Sequence, residues 1–309
     1  MLSFYGLSNG KQNLFFGKLA YSPIRDLSFK DYNRFKTFKT IIALYRTHSI
    51  RNREFEMVFD HGSIKGKTDH SGSFWCDVAM DERQTKLVSI TLSNPKEHVW
   101  LTENLYPNTI HTVKEKTVVI SDLDDTLIHS FIHNKFKQLR TLLFTSVEKR
   151  RTVTTMASLI RHFSQLGAVS FYLSNSEQNL FPLLFRFLTL NKFPAGPLFL
   201  KQYIGWKQLV LKKKYSLKNL HKPAMLEKIL ELFPDKKYIL IGDNTQHDLA
   251  VYLEVAKKYP LNIRYIIIRE VSEKPADSLL IQHAKETLQK HKIGFYYNSY
   301  FPEEISWDV

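Results

Sequence analysis

The chain has 309 residues, 43% of them hydrophobic, which is enough for one large core or two modest ones. Lysines and arginines number 44 against 30 aspartates and glutamates, and the formal charge of +14 favours anionic partners such as phosphorylated metabolites, acidic membrane surfaces or nucleic acid. A single cysteine, Cys76, excludes an internal disulfide and fits a reducing compartment, and no apolar run reaches the ~20 residues that span a bilayer.

Residues 13–21 read as a first strand. From about residue 31, Phe35, Phe38, Ile41, Ile42 and Tyr45 recur at helical spacing, with Arg34, Lys36, Lys39 and Arg46 between them. This predicts an amphipathic helix with a basic outer face, which either covers a sheet or meets an anionic surface. Residues 54–60, 65–69, 72–80 and 85–93 follow as short strands between turns, a spacing that indicates a small antiparallel sandwich or barrel. Asn94-Pro95 and Pro107-Asn108 punctuate its end. The expected organisation is a β-rich N-terminal domain over 1–112 and a second domain over 113–309.

In the second part strands and helices alternate, which predicts an α/β fold: a parallel sheet flanked by helices. Residues 117–120 (TVVI) suit a buried parallel strand. Asp122, Asp124 and Asp125 follow at once. On extended chain, residues i and i+2 point the same way. Asp122 and Asp124 then project together off the strand's carboxyl end, while Leu123 turns back to the core. Two adjacent carboxylates raise each other's pKa unless something neutralises them, and a divalent cation does so directly. Basic residues cluster at 135–151. A helix is expected over 152–166, a strand over 169–173 ending in Ser174-Asn175-Ser176, and a helix over 177–190. Residues 199–203 suit a strand. Lys212, Lys213, Lys214, Lys218 and Lys222 lead into a helix over 223–233. A strand over 238–241 ends in Gly242-Asp243. A helix over 248–258, a strand over 263–268 and a closing helix over 278–290 complete the series.

Ligands of such sheets bind beyond the carboxyl ends of the strands. Asp122, Asp124, Ser174, Asp243 and Asp248 all fall there, and Lys222 leads a helix between the second and third strand ends. This set suits phosphoryl transfer, which needs an in-line nucleophile, charge neutralisation and a proton donor for the leaving group. Asp122 can attack as a carboxylate nucleophile. Asp124 can shuttle the proton. Ser174 can hydrogen-bond a phosphoryl oxygen, and Lys222 can balance negative charge. Asp122, Asp243 and a backbone carbonyl near Asp124 offer the oxygen donors that magnesium prefers.

DLDDT at 122–126, the strand ending in Ser174, the lysine and GDNTQHD at 242–248 together resemble the haloacid dehalogenase superfamily of phosphotransferases. More narrowly, YLSNS at 172–176, LKQY at 200–203, the stretch 233–252, IIIRE at 266–270 and TDHSGSFW at 68–75 resemble the actin-patch-associated phosphatidate phosphatases and their bacterial relatives. In place of that family's Pro and aromatic residue after the serine loop, this chain has Glu177-Gln178. The resemblance implies a haloacid-dehalogenase-like Rossmannoid sheet and a phosphoric monoester hydrolase that uses Mg2+ and an aspartyl-phosphate. It implies catalytic Asp122, Asp124, Ser174 and Lys222, with the substrate phosphate held by Ser174, Asn175 and Lys222. Asp122, Asp124, Asp243 and Asp248 would serve the metal, and Lys218 and Lys228 are alternatives for the lysine. The implied partner is phosphatidate or another anionic lipid phosphate. The interval between Leu127 and Ser174 leaves little room for a large lid domain, which suits a bulky or interface-bound substrate.

Two other readings compete. DLDDTLIHS also resembles the opening motif of carboxy-terminal-domain protein phosphatases, although GDNTQHD lacks the paired aspartates typical of those enzymes. A membrane- or nucleic-acid-binding module with weak catalysis is the third reading. The first residues show no basic-then-apolar secretory pattern, so the expected location is cytoplasmic with peripheral membrane contact. Nucleic acid is not an expected partner, and the oligomeric state is open.

Overall fold

A computed structural model describes residues 3–21, 33–79, 81, 84–99, 107–124, 126–128, 152–202, 221–245, 247–271, 277–301 and 307. The basic cluster at 135–151, Lys212, Lys213, Lys214, Lys218, Asp125 and Tyr203 lie outside this set. The described residues form two compact units. One draws on Met1–Lys114, Glu177–Arg186 and Leu200–Leu217; the other draws on Glu115–Ser176, Phe187–Phe199 and Lys218–Val309.

The first unit is β-rich. Strands β1 (Ser3–Ser8), β2 (Gln12–Lys18), β7 (Ser73–Ala79) and β10 (Ile110–Thr112) form a sheet in the order β10-β1-β2-β7. Strands β5 (Glu54–Phe59), β6 (Ser63–Lys67), β8 (Leu87–Leu92) and β9 (Glu97–Val99) form a second, in the order β6-β5-β8-β9. Phe55, Met57 and Phe59 are buried while Glu54, Glu56 and Val58 are not, which is the period-2 pattern of a strand with one core face. Those three residues share a core with Phe4, Phe15 and Phe74 of the first sheet. Phe15 meets Phe59 at 4.8 Å between ring centroids, and Phe55 meets Phe74 edge-on at 5.0 Å. The expected antiparallel order fails at one edge, where β1 and β10 run parallel. No hairpin joins them; β10 arrives only after the chain has passed through the second sheet, so no tight turn dictates its direction.

Helix α1 (Arg34–Tyr45) starts at Asn33, whose side chain accepts from the Lys36 amide at 2.8 Å. It buries Thr37, Thr40, Ile41 and Leu44, and leaves Phe35 79% exposed. The helix is therefore turned away from the apolar stripe that the sequence suggests. The small threonines, not the aromatics, take the inner face. A two-stranded ladder, β3 (Ala20–Tyr21) with β4 (His48–Ser49), lies at the two ends of this excursion.

The second unit holds a six-stranded sheet in the order β13-β12-β11-β14-β15-β16. Its strands are β11 (Thr117–Ser121), β12 (Val169–Glu177), β13 (Leu198–Lys201), β14 (Lys237–Asp243), β15 (Ile263–Arg269) and β16 (Gly294–Asn298). The pairs β12–β11, β11–β14, β14–β15 and β15–β16 are all parallel. β11 is buried along its whole length, as a central strand with both faces covered should be. The unit's helices are α2 (Thr154–Gln165), α4 (His221–Leu232), α5 (Asp248–Lys258) and α6 (Ser278–Lys290), while α3 (Phe181–Leu190) is divided between the units at Arg186/Phe187. α5 packs on β14 and β15, and between α4 and α6.

Two expectations change here. No helix begins at residue 177: β12 runs on to Glu177, and a 3-10 turn at Gln178–Leu180 precedes α3. Pro182 is the reason, because proline is at home in a first helical turn and fixes the start there. The helix at 278–290 does not close the fold, since β16 follows and adds an edge strand beside β15.

Candidate active site

Strand register brings three chain segments level. Ser121 pairs with Tyr172 on one side and with Ile241 on the other. The residues just beyond, Asp122, Ser174 and Asp243, therefore meet at one edge of the sheet. The Asp122 amide donates to the Ile241 carbonyl at 2.8 Å, and this bond fixes the end of β11 against β14. Leu123 is fully buried, as strand alternation requires. The amides of Leu127 and Ile128 both donate to the Leu123 carbonyl at 2.9 Å. This turn carries Thr126 inward, where its hydroxyl donates to Asp243 Oδ2 at 3.0 Å and lies 3.3 Å from Asp122 Oδ2.

Asp122, Asp243 and Asp248 offer carboxylate oxygens that lie within 4.8 Å of one another, and all three residues are buried. Lys222, in the first turn of α4, reaches them from the helical side. Its Nζ is 2.8 Å from Asp122 Oδ1 and 2.6 Å from Asp248 Oδ1. Burial works against the Lys222 charge, but Asp122 and Asp248 outweigh it and hold the ammonium above the ordinary lysine range. Of the alternatives, Lys228 is exposed, and Lys218 lies outside the described residues.

Asp124 stands slightly apart and half-buried. Its Oδ2 accepts from the hydroxyls of Ser174 and Ser176, each at 2.8 Å, and the Ser176 amide donates to Ser174 Oγ at 2.9 Å. Alternation places Ser174 and Ser176 on one side of the chain and assigns Asn175 to the other. Asp243 Oδ1 accepts from the amide and hydroxyl of Thr245, at 2.5 and 2.6 Å. Asp122, Asp124, Ser174, Lys222, Asp243 and Asp248 are thus brought together. Thr126, Ser176 and Thr245 join them without having been singled out. All three lie inside the motifs quoted for the site, so a search for hydroxyls flanking each aspartate could have found them.

Among the described residues, four carboxylates gather here around the Lys222 ammonium. Burial raises Asp122 well above the usual carboxylate range; Lys222 opposes this, while Asp248, Asp243 and Asp124 add to it. Burial also raises Asp243 to about 6, with Asp248 contributing and the Thr245 hydrogen bonds opposing. A donor set of clustered, buried carboxylate oxygens with too little positive charge suits a hard divalent cation, so the residues fit a metal ion.

Residues 117–270 match the family model described as the catalytic domain of phosphatidate phosphatase APP1. Phosphatidate phosphatase APP1 of Saccharomyces cerevisiae is 30% identical over 220 residues, which cover 71% of this chain and 36% of that protein. An uncharacterized protein of Schizosaccharomyces pombe is 29% identical over 154 residues, covering 50% of this chain and 25% of that protein. The chain therefore matches little more than a third of the length of one relative and a quarter of the other. Among solved structures, the Pnkp1/Rnl/Hen1 complex aligns at 18% identity and a TM-score of 0.33 over 51% of this chain and 47% of that one, a likeness too low to carry an argument. By the family match, the segment spanning residues 117–270 belongs to the family of the phosphatidate phosphatase APP1 catalytic domain.

Proposed function

We propose that the chain is a magnesium-dependent phosphoric monoester hydrolase of the haloacid dehalogenase type, acting on phosphatidate or a related lipid phosphate. The observation that carries this reading is the contrast between the two motif aspartates. Asp122 is fully buried against the Lys222 ammonium, whereas Asp124 is half-buried and held on one oxygen by two serines. That asymmetry suits two different tasks.

Asp122 attacks phosphorus in line and forms an aspartyl-phosphate. Asp124 gives a proton to the departing alkoxide and then takes one from the water that releases phosphate. Ser174 and Ser176 hold Asp124 in reach of that oxygen. Lys222 favours the ionised form of Asp122 against the burial that opposes it, and offsets charge on the phosphoryl group. Asp122, Asp243 and Asp248 would hold Mg2+, with a backbone carbonyl near Asp124 as a further donor, and the bound ion would neutralise the site and orient the phosphate. Thr126 and Thr245 hold the Asp243 carboxylate in place through their hydroxyls.

Phosphate release should be measured on phosphatidate, phosphopeptides and small phosphate esters, with and without EDTA. Release from phosphatidate that EDTA abolishes and that Asp122→Asn lowers by at least about a thousandfold is expected, because an amide cannot serve as nucleophile. Release confined to phosphopeptides would sink the lipid assignment, and undiminished turnover by Asp122→Asn would sink the mechanism.

A further inference from the structure

Helix α1 carries two features that the fold does not use. Its inner face is Thr37, Thr40, Ile41 and Leu44. At about 100° per residue, Phe35, Lys39, Ile42 and Arg46 fall on the opposite, outward stripe. Phe35 is 79% exposed, and Lys39 and Arg46 are also exposed. Arg34–Tyr45 contains no acidic residue. Beside the helix runs the β3–β4 ladder, in which Tyr21 pairs with His48. Helix and ladder enclose a groove of about 620 Å³ lined by Phe38, Ile42, Lys39, Arg46, His48 and Tyr21. Among the described residues, the side chains of Lys39, Arg46 and His48 make no ion pair or hydrogen bond. Glu97, tied to the same ladder, is engaged by the Tyr21 hydroxyl at 2.8 Å.

We propose that the outward stripe of α1, with the β3–β4 ladder, docks the protein on the surface of an anionic phospholipid membrane. The argument rests on charge complementarity combined with exposed apolar surface. A bilayer interface offers a layer of phosphates and, a few ångströms below it, the acyl boundary. Lys39, Arg46 and His48 match the first, and Phe35 and Ile42 match the second. Nucleic acid would satisfy the cations and leave Phe35 and Ile42 in water. A purely apolar partner would bury the cations unpaired, which is costly. The inference deepens the lipid-phosphate reading and rests on it for its biological sense, though the docking itself can be tested without catalysis.

The test is flotation of the full chain with phosphatidylcholine vesicles, with and without phosphatidylserine, a lipid that carries no phosphomonoester. Wild type should float with the anionic vesicles and not with phosphatidylcholine alone. The double variant Lys39→Gln/Arg46→Gln should weaken binding about thirtyfold, from the usual contribution of a cation at an anionic surface. Phe35→Ser should weaken it about tenfold by removing a burying aromatic. Both variants should release phosphate from a small soluble ester at the wild-type rate. Equal flotation of variants and wild type would overturn the proposal. So would a failure of wild type to float, which would point to an acidic protein segment as occupant. Loss in the charge variant with Phe35→Ser unaffected would overturn it in favour of a polyanion such as nucleic acid. Intact, variant-sensitive flotation with no release from phosphatidate would sink the substrate reading and leave the docking standing.

Discussion

Gly242 shows how tightly single residues are held at the carboxyl edge of the sheet. A Cβ built there would lie 2.6 Å from Asp248 Oδ2 and 2.7 Å from Asp248 Cβ. Gly242→Ala must displace Asp248, whose Oδ1 lies 2.6 Å from Lys222 Nζ. The expected outcome is a folded protein by circular dichroism whose activity falls about a hundredfold, as a misplacement near 1 Å can cause. The Mg2+ concentration needed for half-maximal rate should rise with it; an unchanged Mg2+ titration would mean that Asp248 does not serve the metal. Ser176→Ala removes one of the two hydroxyls on Asp124 Oδ2. Losing a hydrogen bond that orients the Asp124 carboxyl predicts a fall of about tenfold in kcat with KM little changed, measured on a soluble ester. The aspartates and Lys222 were legible in the sequence because charged residues at strand ends and in the first turns of helices are chemically conspicuous. Thr126, Ser176 and Thr245 were not, because hydroxyls are ordinary turn and cap residues and only the folded turn aims them.

Elements were legible where their pattern is periodic and their ends are marked. β11, α5 and α6 match the sequence reading to the residue or nearly so. β16 was missed because Gly294–Asn298 is short and aromatic, with no alternation, and follows a helix that reads as an ending. β1 was missed because Gly6 interrupts a run that begins and ends in serine. α1 was found, but its rotation was not: periodicity says that an apolar stripe exists and not which stripe the neighbours accept. The loop before β7 supplies a prediction at this scale. Asp69 Oδ1 accepts from the Ser71 amide and hydroxyl, each at 2.7 Å, and from the Ser73 amide at 3.0 Å, while Oδ2 accepts from Gln202 at 2.9 Å. Fully buried Lys18 is lowered to about 8 by burial, which the Asp69 and Glu177 carboxylates partly offset. Asp69→Ala strips the loop of these acceptors and removes a counter-charge of Lys18. It should destabilise the protein by about 3 kcal/mol, read as a lowered urea midpoint with an unchanged slope.

The whole chain carries +14, yet its second unit buries a group of carboxylates at one sheet edge, and the two facts pull on stability in a way that can be measured. Asp243 is raised to about 6 by burial and by Asp248, whereas an unfolded aspartate titrates near about 4. Between those values the folded chain binds more protons than the unfolded one. Folding stability attributable to Asp243 is therefore greatest below about 4, falls as pH rises towards about 6, and stays low above it. Asp122, raised by burial for the same reason, adds in the same direction. Asp243→Asn removes the titrating group, so in EDTA the melting temperature of wild type should fall relative to that variant as pH goes from about 4 to about 6. A divalent cation held only by the folded state reverses the penalty by mass action, with a gain of about 2.7 kcal/mol at a hundred times its Kd. At neutral pH, saturating Mg2+ should raise the wild-type melting temperature by several degrees and move the Asp243→Asn variant much less. A Mg2+ shift of equal size in both proteins would place the ion elsewhere and leave the carboxylates at the sheet edge without their metal.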